Sequence, residues 1–198
     1  MIEREILELD VLFVGAGPAS LAGAIHLQRL LRKSGQDASV GVLEKAGEVG
    51  AHSLSGAIVD PRALKELFPD KSVQDFPFEA EVSEEHLYYL TESRKIPFPF
   101  VPPSMSHHGC YVASLGKLTR WLGEACEKDG VDIFCGFAGT ELIYDGDQII
   151  GVRTGDRGID KKGTKKQHFE PGADIHAKVV VLGEGTRGSL TKNFLHKH

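Results

Sequence analysis

The chain has 198 residues, 41% of them hydrophobic and 26% charged, with 23 Lys and Arg against 28 Asp and Glu. That size and composition suit one folded domain with a real core and exclude wholesale disorder. The net charge of −5 argues against a nucleic-acid partner, whose phosphates call for a basic surface. Three widely spaced cysteines, Cys110, Cys126 and Cys135, form no CxxC. They read as reduced thiols and are too few to hold an iron–sulfur cluster or a structural zinc by themselves. No run approaches the roughly 18 apolar residues that span a bilayer. The acidic start Met1-Ile2-Glu3-Arg4-Glu5 reads as neither a signal nor a transit peptide.

Val11-Leu12-Phe13-Val14 is a short apolar run that stops at Gly15, the pattern of a strand buried on both faces. From Pro18 to Lys33 the pattern turns helical, with Ala24, Leu27 and Leu31 on one stripe and Gly35 placed to end it. A second apolar strand, Val40 to Leu43, ends on Glu44, so the unit is β–α–β and its sheet should be parallel. After a Gly/Ser-rich loop, Asp60-Pro61 offers an N-cap and first helical position for a short helix that Pro69 stops.

Residues 70–110 hold several aromatics and prolines and read as inserted strands and loops covering the sheet, with a hairpin at Thr91-Glu92-Ser93-Arg94. Leu115, Leu118, Leu122 and Cys126 mark the apolar stripe of a helix ending at Gly130, and Val131 to Phe134 is the next strand. Asp145-Gly146 predicts a hairpin between Glu141–Tyr144 and Gln148–Thr154. Lys161, Lys162, Lys165 and Lys166 read as a solvated polar loop, and Ala177 to Leu182 is a last apolar strand. The expected fold is α/β: one Rossmann-like domain over 1–198, a parallel sheet with an antiparallel meander inserted at 141–178.

Chemistry concentrates at strand ends. In Gly15-Ala16-Gly17-Pro18-Ala19-Ser20 the first glycine makes the strand-to-helix turn. The second lets the backbone approach a pyrophosphate, which the free N–H groups and dipole of the helix start then bind. The motif follows a strand, opens a helix and sits inside a βαβ unit, which is the context that gives it meaning. Ser20 stands where a third glycine is usual; it reads as a tolerated variation or as a hydroxyl donor to a phosphate oxygen. Glu44 ends the second strand, where an acid accepts hydrogen bonds from an adenosine ribose and disfavours a 2′-phosphate. The acid-led loop Glu44-Lys45-Ala46-Gly47-Glu48-Val49-Gly50-Ala51-His52-Ser53-Leu54-Ser55-Gly56 looks like the flavin-contacting loop of glutathione-reductase-type FAD proteins, which favours FAD over NAD.

Those segments, with Leu64 to Asp70, Leu115 to Gly123, Gly130-Val131, Cys135-Gly136-Phe137-Ala138 and Gly183-Glu184-Gly185-Thr186-Arg187-Gly188-Ser189-Leu190-Thr191-Lys192, closely resemble the electron-transfer-flavoprotein:ubiquinone oxidoreductase family across essentially the whole chain. The resemblance implies a peripheral membrane flavoprotein on the cytoplasmic face of the bacterial inner membrane. Such a protein takes electrons from reduced electron-transfer flavoprotein and passes them through FAD and a [4Fe–4S] cluster to ubiquinone. It places Gly15, Gly17 and Ser20 at the pyrophosphate and Glu44 at the ribose. Phe137 and Ala138 fall by the adenine, and Ala51, His52, Ser53, Leu54, Ser55 and Gly56 on the flavin side. Glu184 and Gly185 fall by the ribityl–phosphate, and Ala16, Pro18, Ala19, Lys45, Gly50 and Gly183 are implied cofactor-binding residues beside them. No catalytic side chain is singled out, and His52 reads as an orienting group.

Family members run on for several hundred residues, so these 198 are expected to be an N-terminal portion, inactive alone. The quinone site, the cluster cysteines and the membrane-contacting surface are expected elsewhere, with Phe76, Phe78, Phe98 and Phe100 left as uncovered apolar surface. Two other readings stay open: a flavin monooxygenase or geranylgeranyl-reductase-like protein using a nicotinamide reductant, and a non-catalytic FAD-binding fragment. His107-His108 lacks a third ligand and reads as a polar loop. None of Ser20, Ser53, Ser55 and Ser189 has the setting of a nucleophile elbow.

Overall fold

A computed structural model describes residues 4–54, 56–159 and 164–197; Ser55, Lys161 and Lys162 lie outside the described residues. In chain order the elements are β1 (Ile6–Val14), α1 (Pro18–Ser34), β2 (Val40–Glu44), β3 (Ala57–Val59) and α2 (Arg62–Leu67). Next come β4 (Phe78–Glu81), β5 (Tyr88–Leu90), β6 (Lys95–Pro97), β7 (Tyr111–Ala113), α3 (Leu115–Lys128) and β8 (Asp132–Cys135). The last are β9 (Gly139–Asp145), β10 (Gln148–Thr154), β11 (Arg157–Ile159), β12 (Lys165–Glu170), β13 (Asp174–Leu182) and α4 (Ser189–Lys197). They divide into two compact units, Met1–Ser53 with Thr119–His198, and Leu54–Leu118.

The first unit is built on a six-stranded sheet in the order β8-β2-β1-β13-β10-β9. The β–α–β reading holds, because β1 pairs in parallel with both β2 and β13, and β2 pairs in parallel with β8. β9 and β10 form the hairpin that Asp145-Gly146 predicts, but β10 also pairs antiparallel with β13, so the sheet is mixed and the hairpin extends its edge. Lys165 and Lys166 belong to β12, which pairs with β11, and not to a loop.

One face of the sheet gathers Leu12, Val14, Leu43, Leu142, Val152, Ile175 and Leu190 into a core cluster. Burial of such side chains, roughly 2 kcal/mol each, is what the apolar runs of β1 and β13 supply. Helix α1 buries Leu21, Ala24 and Ile25 and ends where Gly35 turns left-handed, φ +67°. There the Gly35 and Gln36 N–H groups close onto the Arg32 and Leu31 carbonyls. Cys126 of α3 is fully buried as its apolar stripe requires, and burial pushes its thiol up to about 12.

The second unit has its own sheet, β3-β7-β4, and a separate β5–β6 hairpin across the Thr91–Arg94 turn. Helix α2 starts at Arg62, one residue later than Asp60-Pro61 implies, and Asp60 still accepts the Arg62 N–H at 3.0 Å. Phe76 corrects the expectation of uncovered surface: it is 4% exposed, edge-on to Phe78 at 5.7 Å and tilted to Phe68 at 6.4 Å. Phe98 and Phe100 remain exposed. His107 is half-exposed; its Nδ1 lies 2.5 Å from Glu85 Oε1, and its backbone N–H donates to the other oxygen at 2.8 Å. Those bonds hold the Glu85 carboxyl below its usual range.

Candidate dinucleotide-binding site

In the first unit a cavity of about 380 Å³ opens at the carboxyl ends of β1, β2 and β13, where open α/β sheets place ligands. It is lined by the turns that follow these strands, including Gly17 just before α1, by the β8–β9 turn and by the loop leading into α4.

The first wall is the β1–α1 turn. Gly15 has φ +99°, and a Cβ there would stand 2.8 Å from the Gly183 carbonyl oxygen, so both conformation and crowding require glycine. Gly17 differs. Its backbone is extended, at φ −78° and ψ 167°, and a Cβ there would meet nothing within 4 Å. Neither strain nor neighbouring protein calls for a glycine, and the open space faces the cavity. Helix α1 begins here with Pro18 at its first position, no side-chain cap and no acid in its first turn. Its N-terminal N–H groups and positive dipole end are therefore left for an anion.

The second wall is the end of β2. Glu44 Oε2 accepts the Ala16 N–H at 2.9 Å and Oε1 accepts the Ala46 N–H at 2.7 Å, tying the strand end to the glycine turn. A carboxylate has about four acceptor positions, so these two bonds leave capacity for hydroxyl donors. His52 Nδ1 lies 4.0 Å from Glu44 Oε1. Across the cavity Phe137 and Ala138 follow β8, held by the Phe137 N–H donating to the Glu44 carbonyl at 2.9 Å. The Arg157 guanidinium sits 4.0 Å from the centre of the Phe137 ring, and its Nη2 donates to the Gly136 carbonyl at 2.6 Å.

The third wall is Gly183-Glu184-Gly185. Glu184 stands at the cavity, but its carboxylate turns to the start of α4. There it accepts the Leu190 N–H at 3.2 Å, the Thr191 N–H at 2.9 Å and the Thr191 hydroxyl at 3.0 Å. It caps that helix as an N-cap residue would.

The structure thus brings Gly15, Ala16, Gly17, Glu44, Lys45, Gly50, His52, Ser53, Phe137, Ala138, Gly183, Glu184 and Gly185 to one cavity. Pro18, Ala19, Ser20 and Ala51 are not among its lining residues. Leu54 and Gly56 belong to the second unit. Sequence reasoning missed Arg187, Gly188 and Ser189, which also line the cavity. The signal was there: they connect a strand-end glycine turn to a helix, the same strand–turn–helix pattern as Gly15–Ser20.

The site suits the adenosine and pyrophosphate of a dinucleotide: an open glycine cradle, an uncapped helix start and a strand-end acid with spare acceptor capacity. A [4Fe–4S] cluster does not fit the donors present. Such a cluster takes four thiolates, the chain has three cysteines, and Cys126 is sealed in the core. Among the described residues no group of three His, Cys, Asp or Glu is placed to hold a metal ion. No described helix is long and apolar enough to cross a membrane.

No family model matches the chain. Curated relatives do. It is 44% identical over 198 residues to the mitochondrial electron transfer flavoprotein-ubiquinone oxidoreductase of Mus musculus, covering 99% of this chain and 32% of that protein. It is 45% identical over 201 residues to the probable enzyme of that name in Acinetobacter baylyi, covering 99% and 35%. With the Pseudomonas aeruginosa enzyme it shares 43% over 202 residues, covering 100% and 37%.

Among solved structures, a geranylgeranyl bacteriochlorophyll reductase-like protein of Thermoplasma acidophilum superposes with a TM-score of 0.60 at 21% identity, over 89% of this chain and 39% of that one. A myxobacterial chondrochloren halogenase, described as FAD-dependent, gives 0.60 at 17%, over 94% and 39%. These likenesses show the fold, an α/β Rossmann-like domain. Over nearly its whole length, then, the chain is homologous to about a third of the electron transfer flavoprotein-ubiquinone oxidoreductases it resembles.

Proposed function

We propose that this chain is the FAD-binding part of an oxidoreductase that passes electrons from reduced electron-transfer flavoprotein to ubiquinone. The observation that carries FAD binding is Gly17, a glycine that neither backbone conformation nor packing demands, open to a cavity that the two strand-end glycine turns and Glu44 share. The partners and direction of electron flow rest on the 43–45% identity to oxidoreductases so named. The chain spans about a third of their length, so the quinone, the [4Fe–4S] cluster and any membrane contact belong to the reading of the whole relatives.

When bound, FAD supplies the redox chemistry, accepting and releasing electrons one or two at a time. The protein's share is binding and orientation. The start of α1 and the Gly15–Gly17 backbone hold the pyrophosphate, and Glu44 accepts the ribose hydroxyls with its free lone pairs. Phe137 and Ala138 wall the adenine, and Phe137 is kept in place by the Arg157 guanidinium over its ring. Glu184 acts indirectly: by capping α4 it fixes where the Gly185 backbone meets the cavity. Gly50, His52 and Ser53 face the flavin side.

The test is a titration of the chain with FAD and with NAD, followed by flavin fluorescence and by calorimetry. FAD binding tighter than NAD is expected. NAD binding more tightly, or neither binding, overturns the FAD assignment.

A further inference from the structure

We infer that Ser20 and Gly183 form a matched steric pair, in which the serine sets the distance between the start of α1 and the Gly183-Glu184-Gly185 turn. The inference rests on the FAD reading and adds to it a positioning residue outside the cavity lining.

Ser20 occupies the place where a third glycine ordinarily lets the helix pack closely on the strand. It is 4% exposed, and its Oγ is buried with no hydrogen-bond partner among the described residues. A buried hydroxyl without a partner is a cost, so a polar role does not account for it. Its surroundings account for it by shape. A Cβ built on Gly183 would stand 2.0 Å from Ser20 Oγ and 3.3 Å from Ser20 Cβ, while the next neighbour, the Val14 carbonyl oxygen, is at an ordinary 3.4 Å.

Gly183 is not in the left-handed region, so its backbone would accept alanine. Residue 183 is held to glycine by one side chain, and that side chain is Ser20. The volume a third fingerprint glycine would leave open on the helix is filled here by serine and left open on the facing strand end.

The pair matters to binding because Gly183 is a shared wall. Its N–H donates to the Val14 carbonyl at 3.0 Å, and its carbonyl is the oxygen that crowds Gly15. A displacement of Gly183 therefore moves both glycine turns that line the cavity. Interiors transmit such small shifts instead of absorbing them.

The experiment is a volume swap read two ways: FAD affinity measured well below the melting temperature, and melting temperature without flavin. The variants are Gly183→Ala, Ser20→Gly and the double variant. Gly183→Ala should weaken FAD binding about tenfold or more and lower the melting temperature, as overpacking does. Ser20→Gly alone should change affinity less than about threefold, and the double variant should return to within about threefold of the parent, the coupling a shared contact gives. If Gly183→Ala does not fold, a folded double variant that binds FAD supports the pair, and an unfolded one overturns it.

Gly183→Ala with parental affinity overturns the positioning role even if the protein melts lower, because the contact is then only structural. A double variant as impaired as Gly183→Ala overturns the pair itself. Failure of the FAD reading looks different: the parent binds no FAD, while the swap still rescues the melting temperature.

Discussion

Strands β1 and β13 lie side by side, and each ends in a glycine turn that feeds a helix, yet the two helix starts are treated oppositely. Helix α1 begins with no side-chain cap beside the open face of Gly17. Helix α4 begins with its Leu190 and Thr191 N–H groups already taken by Glu184, and a Cβ on Gly188 would press within 2.7 Å of that carboxylate. One terminus is left for an anion and the other is closed by the chain itself. Two motifs that read alike in sequence therefore differ in structure: the first turn is left open at its helix start, and the second is closed by its own carboxylate.

Gly17 is where the two helix starts differ most. Gly17→Leu should weaken FAD binding about a hundredfold by filling the space a phosphate needs. The melting temperature should stay within about a degree, because an open position has no packing to lose. A leucine variant that binds FAD like the parent would mean that the open face of Gly17 is not the phosphate site.

Glu44→Arg comes next. It removes the acceptor of the Ala16 and Ala46 N–H groups, which costs about 1–3 kcal/mol of stability, and should weaken FAD binding about tenfold as the ribose acceptor is lost. Parental affinity by fluorescence titration would make Glu44 a structural acid alone. The smallest effect is expected at Glu184→Ala. Loss of a helix cap costs about 1 kcal/mol, a fall in melting temperature of about 2–4 °C. FAD affinity should change by less than about threefold, since the lost bonds belong to α4. A larger loss of affinity than of stability would show that the carboxylate serves the ligand directly.

Most of the first turn was legible because its signals are local. Val11–Val14, Gly15, Pro18 and Gly35 each announce a strand end, a turn, a helix start or a helix stop within a few residues. The fate of Glu184 was not legible. A strand-end acid looks the same whether it reaches for a ribityl group or for a helix that begins five residues later at Ser189, and only the spacing in three dimensions decides. The antiparallel hairpin was legible in the turn at Asp145-Gly146, which fixes how β9 meets β10, though not that β10 goes on to pair with β13. Phe76 was placed on the surface because an aromatic-rich insert has no period to show which rings turn inward. Its burial depends on Phe68, just after α2, and Phe78 of β4 arriving beside it.

The parallel pairing of β1 with β13, in register from Ile6↔Asp174 to Val14↔Leu182, has a kinetic consequence. Two of the three strands that end at the cavity, β1 and β13, lie far apart in the sequence, and a parallel neighbour cannot be supplied by any local hairpin. At the usual pace of translation the ribosome takes on the order of ten seconds to deliver the partner of β1. Until then that apolar strand has one edge satisfied, by β2, and the other waiting. Closing so long a loop is the slow step in topologies of this kind, so the cavity forms among the last features of folding. Whatever ligand fills this cavity can do so only after β13 has emerged.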